Sequence, residues 1–248
     1  MNTFAIAAVT TAAVAGTAVA QKSVARVEVG VAGTDLSGYF DLMDTNVSVD
    51  GSVITYSASS ISILGFDIEL GEREIANIGD FSLSIDTNAQ RSGGSQSVTL
   101  NFNNATASFF NTSFSFSAAP VSFAPLSNVT GSASAAVTLI DSPFAPGDAQ
   151  LAPNGAGAYS ATFNGGSVFQ DFFGSGVTAP DGGSNVASAS TGGFIPIAGS
   201  VSEISAEWGF TLSALAQATG TSTFTITPTP ASLGLLGLGG LLAARRRR

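Results

Sequence analysis

The chain has 248 residues, 44% of them apolar and only 10% charged, with no Cys and no His. That length gives room for one large β domain or two small ones. The two missing residue types exclude disulfides, thiolate metal sites, the usual zinc sites and Ser-His-Asp or Cys-His catalysis. All 17 acidic residues lie between Glu28 and Glu207, whereas the basic ones are Lys22, Arg26, Arg73, Arg91 and four terminal arginines, so the body without its tail carries a net charge of −13. Such a surface repels phosphate backbones, and nucleic acid is not expected as a partner.

Met1 to Ala20 reads as a secretory signal peptide. An uncharged run from Phe4 to Val19 closes on Ala18-Val19-Ala20, an A-x-A cleavage pattern built on Ala18 and Ala20. No Lys or Arg precedes the run, which leaves the α-amino group as its only positive charge. The small residues and the switch to Gln21-Lys22-Ser23 argue for a cleaved signal helix rather than a first membrane span.

From Gln21 to Thr227 the chain reads as strands. Val27, Val29 and Val31 alternate with Arg26, Glu28 and Gly30; Leu64, Phe66, Ile68 and Leu70 alternate with Gly65, Asp67, Glu69 and Gly71. The same period of two runs through Phe81, Leu83 and Ile85, through Val98, Leu100 and Phe102, through Phe110, Phe114 and Phe116, and through Trp208, Phe210 and Leu212. Each set has one apolar and one hydroxyl-rich face, the pattern of antiparallel sheets wet on one side. Asp50-Gly51 predicts a two-residue hairpin, and Arg91-Ser92-Gly93-Gly94 a second turn. Gly71–Ile78, with Glu72, Arg73 and Glu74, is the nearest approach to a helix, as a short turn or helix. The expected fold is all-β, an antiparallel two-sheet β-sandwich of about a dozen strands with jelly-roll-like connections. An outer-membrane barrel would need aromatic girdles, and one Trp with three Tyr cannot form them. Two Pro/Gly-broken segments, 142–157 and 174–185, read as loops within one domain.

The acidic side chains do not assemble a recognisable centre in the sequence. Asp44 and Asp50 flank a stretch with oxygen side chains at alternate positions, a weak calcium possibility, as is Asp86 with Asn88; Val49 and Thr55 stand where an EF-hand needs Gly and Glu. The stretch is better read as the outward face of a strand. Glu203 and Glu207, four apart on a strand, would have backbones about 13 Å apart, too far for a glycosidase pair, with Ile204, Ala206 and Trp208 facing inward. Glu69, Glu72 and Glu74 read as surface charge. Tyr39, Tyr56, Tyr159 and Trp208 are the only candidates for stacking on sugar rings, and Phe169, Phe172 and Phe173 read as core or loop anchors. No catalytic residue, metal ligand or cofactor is expected.

The end of the chain has three parts in fixed order: Pro228-Thr229-Pro230, an uncharged run from Ala231 to Ala244, and Arg245, Arg246, Arg247 and Arg248. The run is 14 residues, about 21 Å as a helix, against roughly 20 residues for a full span. Gly234, Gly237, Gly239 and Gly240 each cost a helix about 1 kcal/mol relative to Ala. It is a marginal transmembrane helix whose arginines form a cytoplasmic stop. This ending resembles the PEP-CTERM sorting signal of Gram-negative bacteria, with Pro228, Thr229 and Pro230 at the motif positions and Thr229 in place of the family's Glu. The resemblance covers about 21 of the 248 residues. It implies export through the secretion machinery, transient anchoring in the inner membrane and processing by an exosortase, a membrane-embedded cysteine protease. The released protein would join the cell surface or the exopolysaccharide matrix. The chain thus divides into a signal peptide (1–20), a β body (21–227) and a sorting tail (228–248). The expected role is that of a non-enzymatic surface or matrix protein, the alternative being a carbohydrate-binding or adhesive module of that matrix.

Overall fold

The computed structural model describes residues 21–67, 71–86, 94–145 and 147–229. The expected signal peptide with Ala18 and Ala20, the expected Arg91–Gly94 turn up to Gly93, and the tail from Pro230 through Arg245–Arg248 lie outside the described residues, as do Glu69 and Asn88.

The described residues form fifteen strands and no helix. In chain order they are β1 (Ser23–Val31), β2 (Ser37–Met43), β3 (Val47–Asp50), β4 (Val53–Asp67), β5 (Gly71–Asp86), β6 (Gln96–Ala107), β7 (Thr112–Ala118) and β8 (Val121–Ile140). There follow β9 (Ala149–Pro153), β10 (Tyr159–Phe163), β11 (Ser167–Phe172), β12 (Val177–Ala179), β13 (Ser184–Ser190), β14 (Ile195–Leu212) and β15 (Gln217–Pro228). All pairings are antiparallel and join into one sheet, in the order β2-β1-β7-β14-β8-β15-β6-β5-β4-β3. The strands β10 and β9 attach to β14, β11 to β10, β12 to β9 and β13 to β8.

This one hydrogen-bonded sheet curls back over a single apolar core. Phe102 of β6 stacks on Phe116 of β7 with ring centroids 4.5 Å apart, although three strands separate β6 from β7 along the sheet. The two long strands make the bend. The first part of β14 pairs with β8 (Ile195↔Gly131 to Ile204↔Val121), and its second part pairs with β7 (Glu207↔Ser117 to Leu212↔Thr112). Its register with β8 breaks twice, between Ile197 and Ser200 and between Val201 and Glu203. A bulge of this kind adds local twist. The far edge meets the near one: a Cβ on Gly38 of β2 would lie 2.4 Å from the carbonyl oxygen of Leu64 in β4, closer than any side chain tolerates, so only Gly lets β2 lie against β4.

The core is aromatic. Trp208, Tyr159, Phe81, Phe102, Phe114, Phe116, Phe210 and Phe224 are fully buried. Phe102 meets Trp208 edge-on at 5.4 Å, and Phe173 stacks on Trp208 at 5.8 Å. Large rings bury much area each and favour such offset and edge contacts. A body of about 200 residues with such a core stands without disulfides.

Most of the predicted alternation is realised. Val27, Val29 and Val31, Phe81 and Leu83, Val98 to Phe102, Phe114 and Phe116, and Trp208 to Leu212 all point inward. Five expectations are corrected. Gly71–Ile78 is neither turn nor helix but the first half of β5, held extended by pairing from Asp67↔Gly71 through Leu64↔Glu74 to Ile61↔Ile78. Leu64 points outward, 48% exposed, because β4 buries Ile61, Ile63 and Gly65 instead. Phe110 is likewise exposed, in the turn between β6 and β7. The two Pro/Gly-broken segments are not plain loops: they contain β9 and β12, which pair with each other through Val177↔Leu151, Thr178↔Gln150 and Ala179↔Ala149. The first hairpin turns one residue later than expected, at Gly51-Ser52 with Asp50 paired to Val53, and Gly51 takes the positive φ of 62° that the turn demands.

Candidate binding surface

The outward face of the curled sheet carries a lattice of hydroxyl and amide side chains in register. One rung runs Ser188–Ala136–Thr221–Asn101–Ser82–Ser57 across six strands, from β13 to β4. The next runs Ser190–Ser134–Thr223–Thr99–Ser84–Thr55–Ser48 and reaches β3. Rungs stand about 7 Å apart along a strand and their members about 4.8 Å apart across strands. The side chains bond laterally: Thr99 Oγ1 with Thr223 Oγ1 at 3.0 Å, Thr55 Oγ1 with Ser84 Oγ at 2.9 Å, and Asn101 Nδ2 to Ser82 Oγ at 3.3 Å. Thr219 Oγ1 donates to Asn103 Oδ1 at 2.9 Å, and Asn103 Nδ2 donates to Asp80 at 3.3 Å. A hydroxyl with one lateral bond keeps further donor or acceptor capacity for a ligand or water. Two shallow grooves cross this face and share Ala136 and Thr221. One, about 320 Å³, lies over Asp80, Asn101, Asn103 and Thr219; the other, about 420 Å³, lies over Ser134, Ser188, Ser190 and Thr223. The small side chain of Ala136 dips between its neighbours Ser188 and Thr221.

No single residue type flags this surface in the sequence. Its signal is the alternation Thr99-x-Asn101-x-Asn103 and Thr219-x-Thr221-x-Thr223-x-Thr225, which also serves as the polar half of ordinary strands.

The residues singled out from the sequence fall elsewhere. Glu203 Oε1 accepts the Gly165 amide at 3.0 Å, and Glu207 Oε1 accepts the Ser115 hydroxyl at 3.1 Å, while Ile204, Ala206 and Trp208 are buried opposite them. Each acid is tied to its own neighbour on the outer face, and the two do not share a partner. Asp44 follows β2 and Asp50 closes β3 at the hairpin tip; among the described residues no three acidic side chains converge to hold a metal ion. Glu72 and Glu74 are exposed on β5, where Glu74 accepts the Ser62 hydroxyl.

Of the four sugar-stacking candidates, Trp208 and Tyr159 are fully buried, and Tyr56 packs half-buried against the core. Tyr39 alone is substantially exposed, at 50%, and its ring face is taken by Arg26, whose guanidinium carbon lies 4.8 Å from the ring centroid. Arg26 also grips Asp41 through Nε at 2.8 Å and Nη2 at 3.1 Å. These bonds hold the Asp41 carboxyl below its ordinary range, helped by the Ser23 hydroxyl and opposed by partial burial. Phe169, Phe172 and Phe173 anchor on the core, with Phe169 stacked on Phe224 at 5.0 Å.

Tyr159 has an unusual place. Its hydroxyl is buried and makes no hydrogen bond of good geometry, and burial pushes the phenol above its ordinary value, opposed only by a weaker contact with the Ser222 hydroxyl. Nearby Ser222 is engaged with Trp208 Nε1 at 3.0 Å and the Leu100 carbonyl at 3.2 Å. A buried, unpaired hydroxyl costs about 1–3 kcal/mol, so Tyr159→Phe is expected to raise stability by about 1 kcal/mol, read as a higher urea midpoint. A loss of that size instead would mean that the hydroxyl is satisfied.

Pro228 and Thr229, the first two residues of the Pro-Thr-Pro stretch, close the fold. Pro228 ends β15 opposite Val129, and the Thr229 amide donates to the Asn128 carbonyl at 2.7 Å. The strands β1 and β15 respectively begin and finish at the ends remote from the 108–111 turn, since Val31 lies beside Thr112 and the Leu215 amide reaches the Ser108 carbonyl. No protein-family model, no curated protein and no solved structure matches the chain.

Proposed function

We propose that the chain is an exported, non-enzymatic protein of the cell surface or extracellular matrix, delivered by a PEP-CTERM-like tail. The observation that carries this reading is the tail's fixed order of Pro228-Thr229-Pro230, an uncharged run and Arg245–Arg248. A cleavable signal at the other end, with Ala18 and Ala20 at its cut, agrees with it. The tail stalls in the inner membrane with its arginines in the cytoplasm, and an exosortase-type protease releases the body. No cofactor takes part. Both ends of the body leave on the side away from the 108–111 turn, so Phe109 and Phe110, 80% and 49% exposed, face outward from the membrane while the tail is held.

The curled sheet is read here as a sandwich, its two layers joined by β8 and β14 in jelly-roll-like fashion. Its hydroxyl lattice would hydrogen-bond water and exopolysaccharide. That same lattice favours the second reading, a carbohydrate-binding or adhesive module; the burial of Trp208 and Tyr159 removes the stacking platforms on which many sugar sites rely.

Intact mass of the protein recovered from the cell surface or medium tests the delivery. The expected mass lacks Met1–Ala20 and the arginine cluster but retains Thr229, because Pro228 and Thr229 are held against β8. A product that still carries Arg248 would overturn the proposal.

A further inference from the structure

We propose a calcium site at the pole of the molecule where β8 ends, built on Asp141 and Asp148 with Asp181 beside them. Asp141 is only 3% exposed. Its Oδ2 accepts the Gly182 amide at 2.7 Å, and its own amide donates to the Gly183 carbonyl at 2.9 Å. Its Oδ1 is buried and has no hydrogen-bond partner. Asp148 Oδ1 accepts the neighbouring amide, that of Asp181, at 3.2 Å. Two carboxylates are therefore held on successive backbone nitrogens, whose Cα atoms are about 3.8 Å apart, and Asp181 is itself one of the two residues on the β12–β13 turn that supply those nitrogens.

Nothing in the described residues neutralises this group. The basic side chains there are Lys22, Arg26 and Arg73, on β5 and at the start of the body, and Arg26 is paired with Glu28 and Asp41. A buried carboxyl oxygen with no partner is a costly state. A divalent cation on Oδ1 removes that cost. Three carboxylates do not converge at one point, and calcium does not need them to: it takes six to eight oxygens in flexible geometry, many from backbone carbonyls and water. Asp148 and Asp181 are exposed, which puts their side of the site at the surface. The expected affinity is that of extracellular modules, with dissociation constants of about 0.1–1 mM.

The test uses the purified exported protein, stripped with chelator and melted with added calcium chloride, with magnesium chloride at equal ionic strength as control. At about 100 times the dissociation constant, calcium is expected to raise Tm by roughly 5–10 °C, and magnesium by less. Asp148→Asn with Asp181→Asn, both at exposed positions that keep the fold, is expected to cut the shift by more than half. Asp141→Asn is expected to abolish it. The proposal is overturned if calcium gives no shift, as when a water molecule satisfies Oδ1, or if the double variant shifts as much as the native protein. None of these readings depends on how the chain is sorted.

Discussion

A chain in which Arg245, Arg246, Arg247 and Arg248 are all replaced by Ser is expected to pass into the periplasm uncut. At a helix centre an arginine costs about 2.5–3.5 kcal/mol to insert, so the four together form a barrier that the short apolar run in front of them could never supply. That run is uncharged but carries Gly234, Gly237, Gly239 and Gly240, so any helix it formed would be both short and soft. Without the arginines nothing holds it in register with a membrane protease. Fractionation followed by intact mass reads the outcome: processed product is expected to fall to about a tenth or less, with full-length chain accumulating in the periplasm. Processing at the native level would refute the positive stop, and with it the mechanism of sorting proposed above.

The second large effect lies in the core. Trp208→Ala is expected to cost about 3–5 kcal/mol and to lower Tm by roughly 10 °C. The indole is fully buried, contacts Phe102, Tyr159, Phe173 and Phe210, and donates Nε1 to Ser222 at 3.0 Å. Its removal leaves a cavity bounded by rings from several strands and orphans the Ser222 pair. Tyr39→Ala, on the exposed side, is expected to move stability by only about 0.5 kcal/mol. Urea unfolding followed by circular dichroism measures both. Equal effects would mean that Trp208 is not the centre of the core, and would reopen its reading as a sugar-stacking residue.

Strand character was legible wherever apolar residues held one phase of the period-two pattern for three or more steps. Val27–Val31, Val98–Phe102 and Trp208–Leu212 face the core as their spacing requires, because a strand has only two faces and only one of them is dry. The pattern misled where two phases competed. Ile61 and Ile63 occupy one phase and Leu64 the other, and the β4–β5 ladder, with its break between Ile63 and Leu64, chose the first. It was silent where strands are short. Three residues in β12 and five in β9, broken by Pro and Gly, are too few to show a period, yet each supplies the backbone partner that the other lacks. Glu72, Arg73 and Glu74 offered no apolar face, but backbone hydrogen bonds from β4 need none.

The candidate surface divides in the same way. Thr and Asn at alternate positions were visible, but not that Thr221, Asn101 and Ser82 share one rung, since they are 120 and 19 residues apart in the chain. Asp141 carried no local mark at all; only the turn between β12 and β13, folded over the end of β8, buries it and leaves one of its oxygens alone. The sequence by itself determined an all-β antiparallel body without disulfide or histidine chemistry, because periodicity and composition are local properties. The tertiary structure decided which strands meet, which rings fill the centre and which polar groups align, because register and burial arise only when residues distant in the chain compete for the same dry interior.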